Sequence, residues 1–309
     1  MEIGETKLVS VAIPTKDRPS MLADSIRSVE RQYLPSWMRL EVVVIDNSID
    51  GSAREVCDEY GTLVRYFHCP IAGLSNARNQ ALCKSRGELI VFLDDDEVAE
   101  PTWLSELCGA LITTNADAAF GAVEPEFEIQ RFELQEYAKN FYSRRIRAAS
   151  GDDVTDQYYL LGTGNSCFVK ARCFGTENPF LERFNTSGGE DIMLLKNLAD
   201  GGNRFIWAPQ ACVREKIPAA RCNLGYLVKR RFRNGQIRCW VLIDGSATDK
   251  VRVAVLMVGG SVQILLGAIG AAAYSAMARS SDAQEQLITI AAGAGKLLWF
   301  LRRKQNGYI

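Results

Sequence analysis

The chain has 309 residues, 47% of them hydrophobic and 24% charged. That is enough to bury a large core, and it excludes both general disorder and a disulfide miniprotein. Thirty-six basic residues against thirty-seven acidic ones leave a formal net charge of −1, so no global basic field attracts nucleic acid and any anionic partner must be met locally. Nine cysteines at irregular positions, without a CxxC pair, read as buried thiols in a reducing compartment rather than as a zinc site. The N-terminus, Met1-Glu2-Ile3-Gly4-Glu5, has neither a basic region nor an apolar run, which predicts no secretory signal and a cytosolic globular part.

The predicted elements alternate. Leu8 to Ile13 and Leu40 to Ile45 are apolar, β-branched runs of strand type, ending at Pro14 and Asp46. Between them Pro19 suits a first helical position, and Leu22, Ile26 and Val29 fall on one helical stripe. Thr62 to Phe67 predicts a third strand, Leu74 to Arg86 a helix with Gly87 to stop it, and Glu88 to Leu93 a fourth strand. A helix from Pro101 to about Thr113 and a strand near Ala118 to Val123 follow. Such alternation implies an α/β fold with a mainly parallel sheet covered on both faces, whose ligands bind beyond the carboxyl ends of the strands.

Polar clusters stand at those ends: Pro14-Thr15-Lys16-Asp17-Arg18, Asp46-Asn47-Ser48 and Leu93-Asp94-Asp95-Asp96-Glu97. If the chain stays extended, Asp94 and Asp96 project together and Asp95 faces away. Such a pair suits a hard divalent cation, Mn2+ or Mg2+, which would also relieve the repulsion among successive acids. The alternative is an acidic strand end that caps a helix or faces solvent.

In order and spacing, Ile13-Pro14-Thr15-Lys16-Asp17-Arg18-Pro19, Val43-Val44-Ile45-Asp46-Asn47-Ser48, Gly73-Leu74-Ser75-Asn76-Ala77-Arg78-Asn79 and Phe92-Leu93-Asp94-Asp95-Asp96 resemble the nucleotide-sugar domain of the family 2 glycosyltransferases. The resemblance continues through Gly162-Thr163-Gly164-Asn165, Gly188-Gly189-Glu190-Asp191 and Arg230-Arg231-Phe232-Arg233-Asn234-Gly235. Within the family the chain is most similar to the bacterial exopolysaccharide glucosyltransferases of the succinoglycan, ExoM-like type.

The resemblance implies a GT-A fold holding a UDP-sugar. It places Asp46 at the base, Thr15 and Arg78 at the nucleotide, Asp94 at the ribose or the metal, Asp96 on the metal, and Asp95 in a variable slot. It puts the base that activates the acceptor hydroxyl in the Glu190-Asp191 pair. Asp191 is the preferred candidate, and Glu190 would orient the acceptor. It also implies inverting transfer of a hexose, glucose from UDP-glucose, onto a polyprenyl-diphosphate-linked oligosaccharide. Asn165, Arg230, Arg231 and Arg233 are candidates for the acceptor or the diphosphate. Two family features are missing. There is no histidine where a further metal ligand would stand, since the single histidine, His68, ends the third strand and is expected in or near the core; Glu215 is the candidate replacement. The Gln-x-x-Arg-Trp processivity signature is absent too, which favours single addition. Two other readings stand beside this one: a sugar nucleotidyltransferase, although Pro14 to Arg18 lacks a glycine-rich phosphate loop, and a non-catalytic nucleotide-sugar-binding membrane scaffold.

The tail bears on the compartment. From Val253 to Ala278 no residue is charged, long enough to cross a hydrocarbon core. Gly267 and Ala271 form a small-xxx-small pair suited to close helix packing. The run Leu287 to Leu301, followed by Arg302-Arg303-Lys304, fits an interfacial helix or the return arm of a hairpin. The expected organisation is a catalytic domain over 1–245, with a donor half at about 7–123 and an acceptor half at about 124–245, and a helical membrane-associated region over 246–309. The expected location is the cytoplasmic face of the inner membrane.

Overall fold

A computed structural model describes residues 6–301 apart from 176 and 244; Met1 to Glu5 and Arg302-Arg303-Lys304 lie outside the described residues. The chain divides into two compact units, the first of residues 6–125 and 143–216, the second of 126–142 and 217–301. This division differs from a boundary near 245, because residues 126–142 and the helix that carries the arginine cluster group with the tail.

In the first unit, β1 (Lys7–Thr15), α1 (Pro19–Glu30), β2 (Met38–Asp46), α2 (Arg54–Asp58), β3 (Val64–His68), α3 (Leu74–Lys84), β4 (Leu89–Phe92), β5 (Glu97–Ala99), α4 (Trp103–Thr114) and β6 (Ala118–Phe127) alternate much as the sequence predicts. The sheet order is β3-β2-β1-β4, continued by β7 (Ser166–Val169), β6, β8 (Phe205–Ile217) and β5. The first four strands are parallel, while β4 with β7, β7 with β6, and β5 with β8 pair antiparallel. Because the chain runs β1 to β2 to β3 on one side and then returns to add β4 on the other, the carboxyl ends of β1 and β4 flank a topological switch point.

Strand alternation sends Val9, Val11, Ile13, Val42, Val44, Leu89 and Val91 to one face, against Leu22 and Ile26 of α1 and Leu104 and Leu107 of α4. Ala12, Val43, Ile45, Ile90 and Phe92 point the other way, against Ala77 and Ala81 of α3 and Leu195 of α7 (Glu190–Asp200). Phe92 makes edge-to-face contacts with Phe168 and Phe180, ring centroids 6.1 and 5.7 Å apart. Gly87 does not stop α3, which ends at Lys84 with Ser85 already extended. Its amide donates to Ser10 Oγ, and a Cβ at this position would stand 2.7 Å from the β1 backbone, so the glycine permits close approach. All nine cysteines are free thiols, most of them buried and Cys83 exposed.

The second unit holds α5 (Gln135–Tyr142), α8 (Leu224–Ile243), α9 (Ala247–Ala276) and α10 (Ser280–Leu297), where α6 (Lys170–Cys173) belongs to the first unit. Ser246 and Asp249 form a capping box that starts α9. α9 and α10 pack antiparallel through glycine: a Cβ on Gly260 would meet Gly293 O at 2.8 Å, and one on Gly267 would meet Ile290 Cγ1 at 2.7 Å. The close packing expected of Gly267 is thus present, with Gly260 rather than Ala271 as the other fully buried small residue of α9.

Candidate active site

The site grows from the acidic turn after β4. Strand geometry ends at Phe92, and the Ser25 hydroxyl on α1 reaches the carbonyls of Asp94, Asp95 and Glu97, folding the acids into a turn closed by Glu97 N to Asp94 O at 3.0 Å. The expectation that Asp94 and Asp96 project together fails, because it assumed extended chain. Asp95 and Asp96 instead share one cation: Arg18 Nη1 donates to Asp95 Oδ1 at 3.3 Å and to Asp96 Oδ2 at 3.2 Å. Thr15 Oγ1 donates to Asp95 Oδ2 at 2.7 Å, so its hydroxyl serves the acidic turn. Asp95 is therefore no idle slot, and burial raises its pKa despite Arg18 and Thr15.

Asp94 points away from this group. Its side chain is 38% exposed, with Oδ1 accepting from Arg78 Nη2 at 3.4 Å. The same guanidinium donates through Nη1 to Glu190 Oε1 at 2.6 Å, inside the fold. Arg78, expected at the nucleotide, thus joins the first acid of the turn to the acid pair that opens α7. The rest of its motif anchors the same segment: Ser75 Oγ donates to Leu181 O, Asn79 exchanges two hydrogen bonds with the Phe180 backbone, and Asn76 N donates to Asn185 Oδ1. Gly73, at φ 137°, lies where a Cβ would collide with Asn185.

Glu190 is buried, and its Oε2 has no hydrogen-bond partner among the described residues. Burial pushes its carboxyl up to about 7, with repulsion from Asp191 adding and Arg78 opposing. Asp191 is half-buried on the open side of the helix start, with Oδ2 3.5 Å from where a Cβ on Gly162 would stand. Two residues on, a Cβ at Gly164 would lie 2.6 Å from Asp94 Oδ2 and 3.1 Å from Glu97 Oε1. Gly162 and Gly164, on either side of the buried Thr163, thus present bare backbone as a floor with Asp94 at one end and Asp191 at the other.

Two groups that the sequence reading did not single out complete the cluster. Arg144 donates to the carbonyls of Gly121, Gly162, Gly164 and Asn165 at 2.7–3.1 Å, which fixes the floor. Its charge faces Glu97, Asp94, Glu215 and Asp191. Glu97 is buried, and desolvation with the repulsion of Asp94 and Glu215 raises its pKa well above the ordinary carboxylate range. Glu215 stands opposite Glu97 in the β5–β8 ladder.

Other expected site residues do structural work. Asp46 is fully buried and accepts from Ser48 N, Ala53 N and Tyr66 OH at 2.8–3.0 Å, so it shapes the loop after β2, and those hydrogen bonds outweigh burial to lower its pKa. Asn165, expected at the acceptor, is fully buried and left-handed at φ 47°. Its amide accepts from Trp103 Nε1 and donates to Ala122 O and Ala211 O. His68 is exposed rather than packed in the core, with Nε2 3.0 Å from Ser48 O. Arg230, Arg231 and Arg233 lie on α8 in the second unit, where Arg231 stacks over Phe141 at 4.7 Å and Tyr137 at 5.6 Å.

Among the described residues no three His, Cys, Asp or Glu side chains are grouped to hold a metal ion. A hard cation shared with a substrate diphosphate needs only one or two protein carboxylates. The half-buried Asp94 carboxylate, in a cluster of mutually repelling acids, fits that requirement.

The family model described as Glycosyl transferase family 2 matches residues 10–159. The chain is 32% identical over 240 residues to the succinoglycan biosynthesis protein ExoM of Rhizobium meliloti (strain 1021), covering 75% of this chain and 74% of that one. Among solved structures it resembles the mannosyltransferase PcManGT of Pyrobaculum calidifontis in complex with GDP-Man and Mn2+, with TM-score 0.59 and 20% identity over 97% of this chain and 89% of that one. It also resembles S. aureus TarS 1-349 in complex with UDP, with TM-score 0.52 and 13% identity over 92% and 90% of the two chains. The nucleotidyltransferase and scaffold readings give way to these likenesses, and the chain belongs to glycosyl transferase family 2, as a glycosyltransferase with a GT-A-like fold.

Proposed function

We propose that this glycosyltransferase moves a hexose, glucose from UDP-glucose, onto a polyprenyl-diphosphate-linked oligosaccharide in exopolysaccharide biosynthesis, at the cytoplasmic face of the inner membrane. The observation that carries the reading is the glycine floor with Asp94 at one end and Asp191 at the other, which sets a donor-side acid and a candidate base along one backbone segment. The nucleotide sugar is assigned to the ends of β1, β2 and β4, as open α/β sheets bind ligands there. Asp94, together with the substrate diphosphate, would hold Mn2+ or Mg2+, which when bound neutralises charge on the leaving diphosphate; Asp96 and Glu215, expected beside it, are not grouped with it as a three-carboxylate site among the described residues.

Asp191 takes the acceptor proton. It is the more accessible of the two acids, whereas Glu190 is buried and bound to Arg78. A sugar hydroxyl is a poor nucleophile, and a carboxylate that receives its proton as the new bond forms makes direct displacement at the anomeric carbon feasible, with inversion. Arg78 and Glu190 fix the start of α7 against the acidic turn, and so position Asp191. Arg144 holds the floor. The likeness to a succinoglycan biosynthesis protein supports the place in exopolysaccharide biosynthesis.

The test is manganese-dependent release of UDP from a panel of UDP-sugars, with bacterial lipid extract as acceptor source. The reading expects release with UDP-glucose and strict dependence on the extract. Binding of no UDP-sugar, with or without metal, would overturn it.

A further inference from the structure

α9 is long and apolar enough to cross a membrane by length and composition, yet its packing points to another arrangement. One side is covered along most of its length by α10, with Gly260 against Gly293, Gly267 against Ile290 and Gly270 against Gln286, while Val253 packs with Cys239 and Leu242 of α8. The other side exposes Val251, Val255, Val258, Val262, Leu265, Leu266 and Ile269. These recur every three or four residues, with Leu265 and Leu266 adjacent, and form one aliphatic stripe about 27 Å long at about 1.5 Å per residue.

The covering helix cannot enter hydrocarbon with α9. Opposite the middle of α9, α10 carries the buried Lys296, whose Nζ donates to Gln263 Oε1 at 2.9 Å, and toward the end of α9 it carries Asp282, Gln284, Glu285 and Gln286, where Gln284 Nε2 donates to Glu133 Oε2 at 2.8 Å. Ile288 packs with Leu134 and Leu227, beside Phe132 and Tyr137, in a segment that also holds Glu128 and Glu136. A crossing α9 would carry Lys296 toward the bilayer centre, at about 2.5–3.5 kcal/mol for a charge there, and would draw the segment packed on Ile288 into the membrane with it. A helix apolar on one side and backed by polar structure on the other suits the interface plane.

We propose that α9 lies in the plane of an anionic lipid surface, with the Val251–Ile269 stripe seated at the headgroup–acyl boundary and neither α9 nor α10 crossing. The inference deepens the membrane assignment above. Lipid is favoured over a second copy of the chain because the stripe is aliphatic, without the aromatic residues and arginines that enrich protein interface cores. Exposed basic residues also stand at both ends, Lys250 and Arg252 at the start and Arg279 just beyond the finish.

The experiment places single nitroxide labels at V251C, V258C, L265C and A272C in the full chain with Cys83 replaced by serine. Depth is measured on phosphatidylcholine vesicles with and without phosphatidylglycerol. The inference expects all four sites at one shallow depth, about 5–10 Å below the headgroups, with binding strengthened by the anionic lipid. A depth that passes from one headgroup layer through the centre to the other would establish a crossing helix and overturn it. Water-exposed labels would also overturn it, and a dimer by light scattering would then name a second copy as the occupant. V258E with L265E, both at exposed positions, should keep the melting profile and abolish vesicle flotation; flotation retained counts against the inference. UDP binding is measured in parallel on the unsubstituted chain: no flotation with UDP binding kept is a failure of the lipid-surface inference alone, and flotation without UDP binding a failure of the donor-site reading alone.

Discussion

Arg78 Nη1 lies 2.6 Å from Glu190 Oε1, an ion pair buried at both ends and 112 residues apart in sequence. With its second contact to Asp94, this guanidinium ties the donor-side acidic turn to the first turn of the helix that carries Asp191. Above pH 7, where Glu190 is ionised, Arg78→Gln leaves a buried carboxylate without its cation, a loss expected to lower unfolding free energy by about 3–5 kcal/mol. Urea denaturation measures that loss, and Arg78→Lys should recover part of the stability. An unchanged midpoint in Arg78→Gln would show that the pair is not the tie described.

The pH dependence of stability follows from Glu190. Its pKa, raised from the ordinary 4.5 to about 7, means that the native state keeps a proton which the unfolded chain releases between those values. Stability conferred by this protonated carboxyl is therefore greatest below pH 4.5 and falls as pH rises toward 7. Denaturant titrations across that window should show wild type losing stability with rising pH and Glu190→Gln losing less. Glu97 is raised in the same direction, so the slope should shrink without vanishing.

Gly164 tests the floor. Its φ is not in the left-handed region, but an added methyl would stand 2.6 Å from Asp94 Oδ2. Gly164→Ala should thus cost about 1–3 kcal/mol by overpacking and displace the Asp94 carboxylate. The expected kinetic outcome is a drop of about tenfold or more in kcat/KM together with a higher Mn2+ requirement, read from metal titrations of UDP release. Equal metal dependence in the two proteins would separate Gly164 from the donor site.

Asn165 separates bracing from binding. Asn165→Ala removes three hydrogen bonds within the fold and strands Trp103 Nε1 and two carbonyls, each unsatisfied group costing about 1–3 kcal/mol. A lowered melting temperature with unchanged acceptor KM in the molecules that remain folded is the expected result. A raised acceptor KM at unchanged stability would instead place the side chain at the substrate.

The parallel half of the sheet was legible because strands such as Val42 to Ile45 and Leu89 to Phe92 are continuous apolar runs, the mark of strands buried on both faces. The acidic turn was legible in composition but not in shape: the hydroxyl that folds it, Ser25, lies about seventy residues earlier, and no local pattern reports so distant a contact. Asp46, Asn165 and Arg78 stand in recognisable motifs, yet sequence cannot distinguish a residue that touches ligand from one that holds the loop around it. Arg144 left no signal, since it lies in an irregular stretch and its partners are backbone carbonyls. Glu97 was visible only as the last of four acids, and its burial depends on the pairing of β5 with β8.

The most direct test of the central claim compares wild type with Asp191→Asn for UDP release from UDP-glucose and, in parallel, for UDP binding by calorimetry. Loss of the proton acceptor should reduce turnover by about a hundred- to ten-thousand-fold while UDP affinity stays within a small factor of wild type, since Asp191 is assigned to the acceptor side. Turnover in Asp191→Asn equal to that of wild type would contradict the assignment of the base and with it the mechanism proposed for this site.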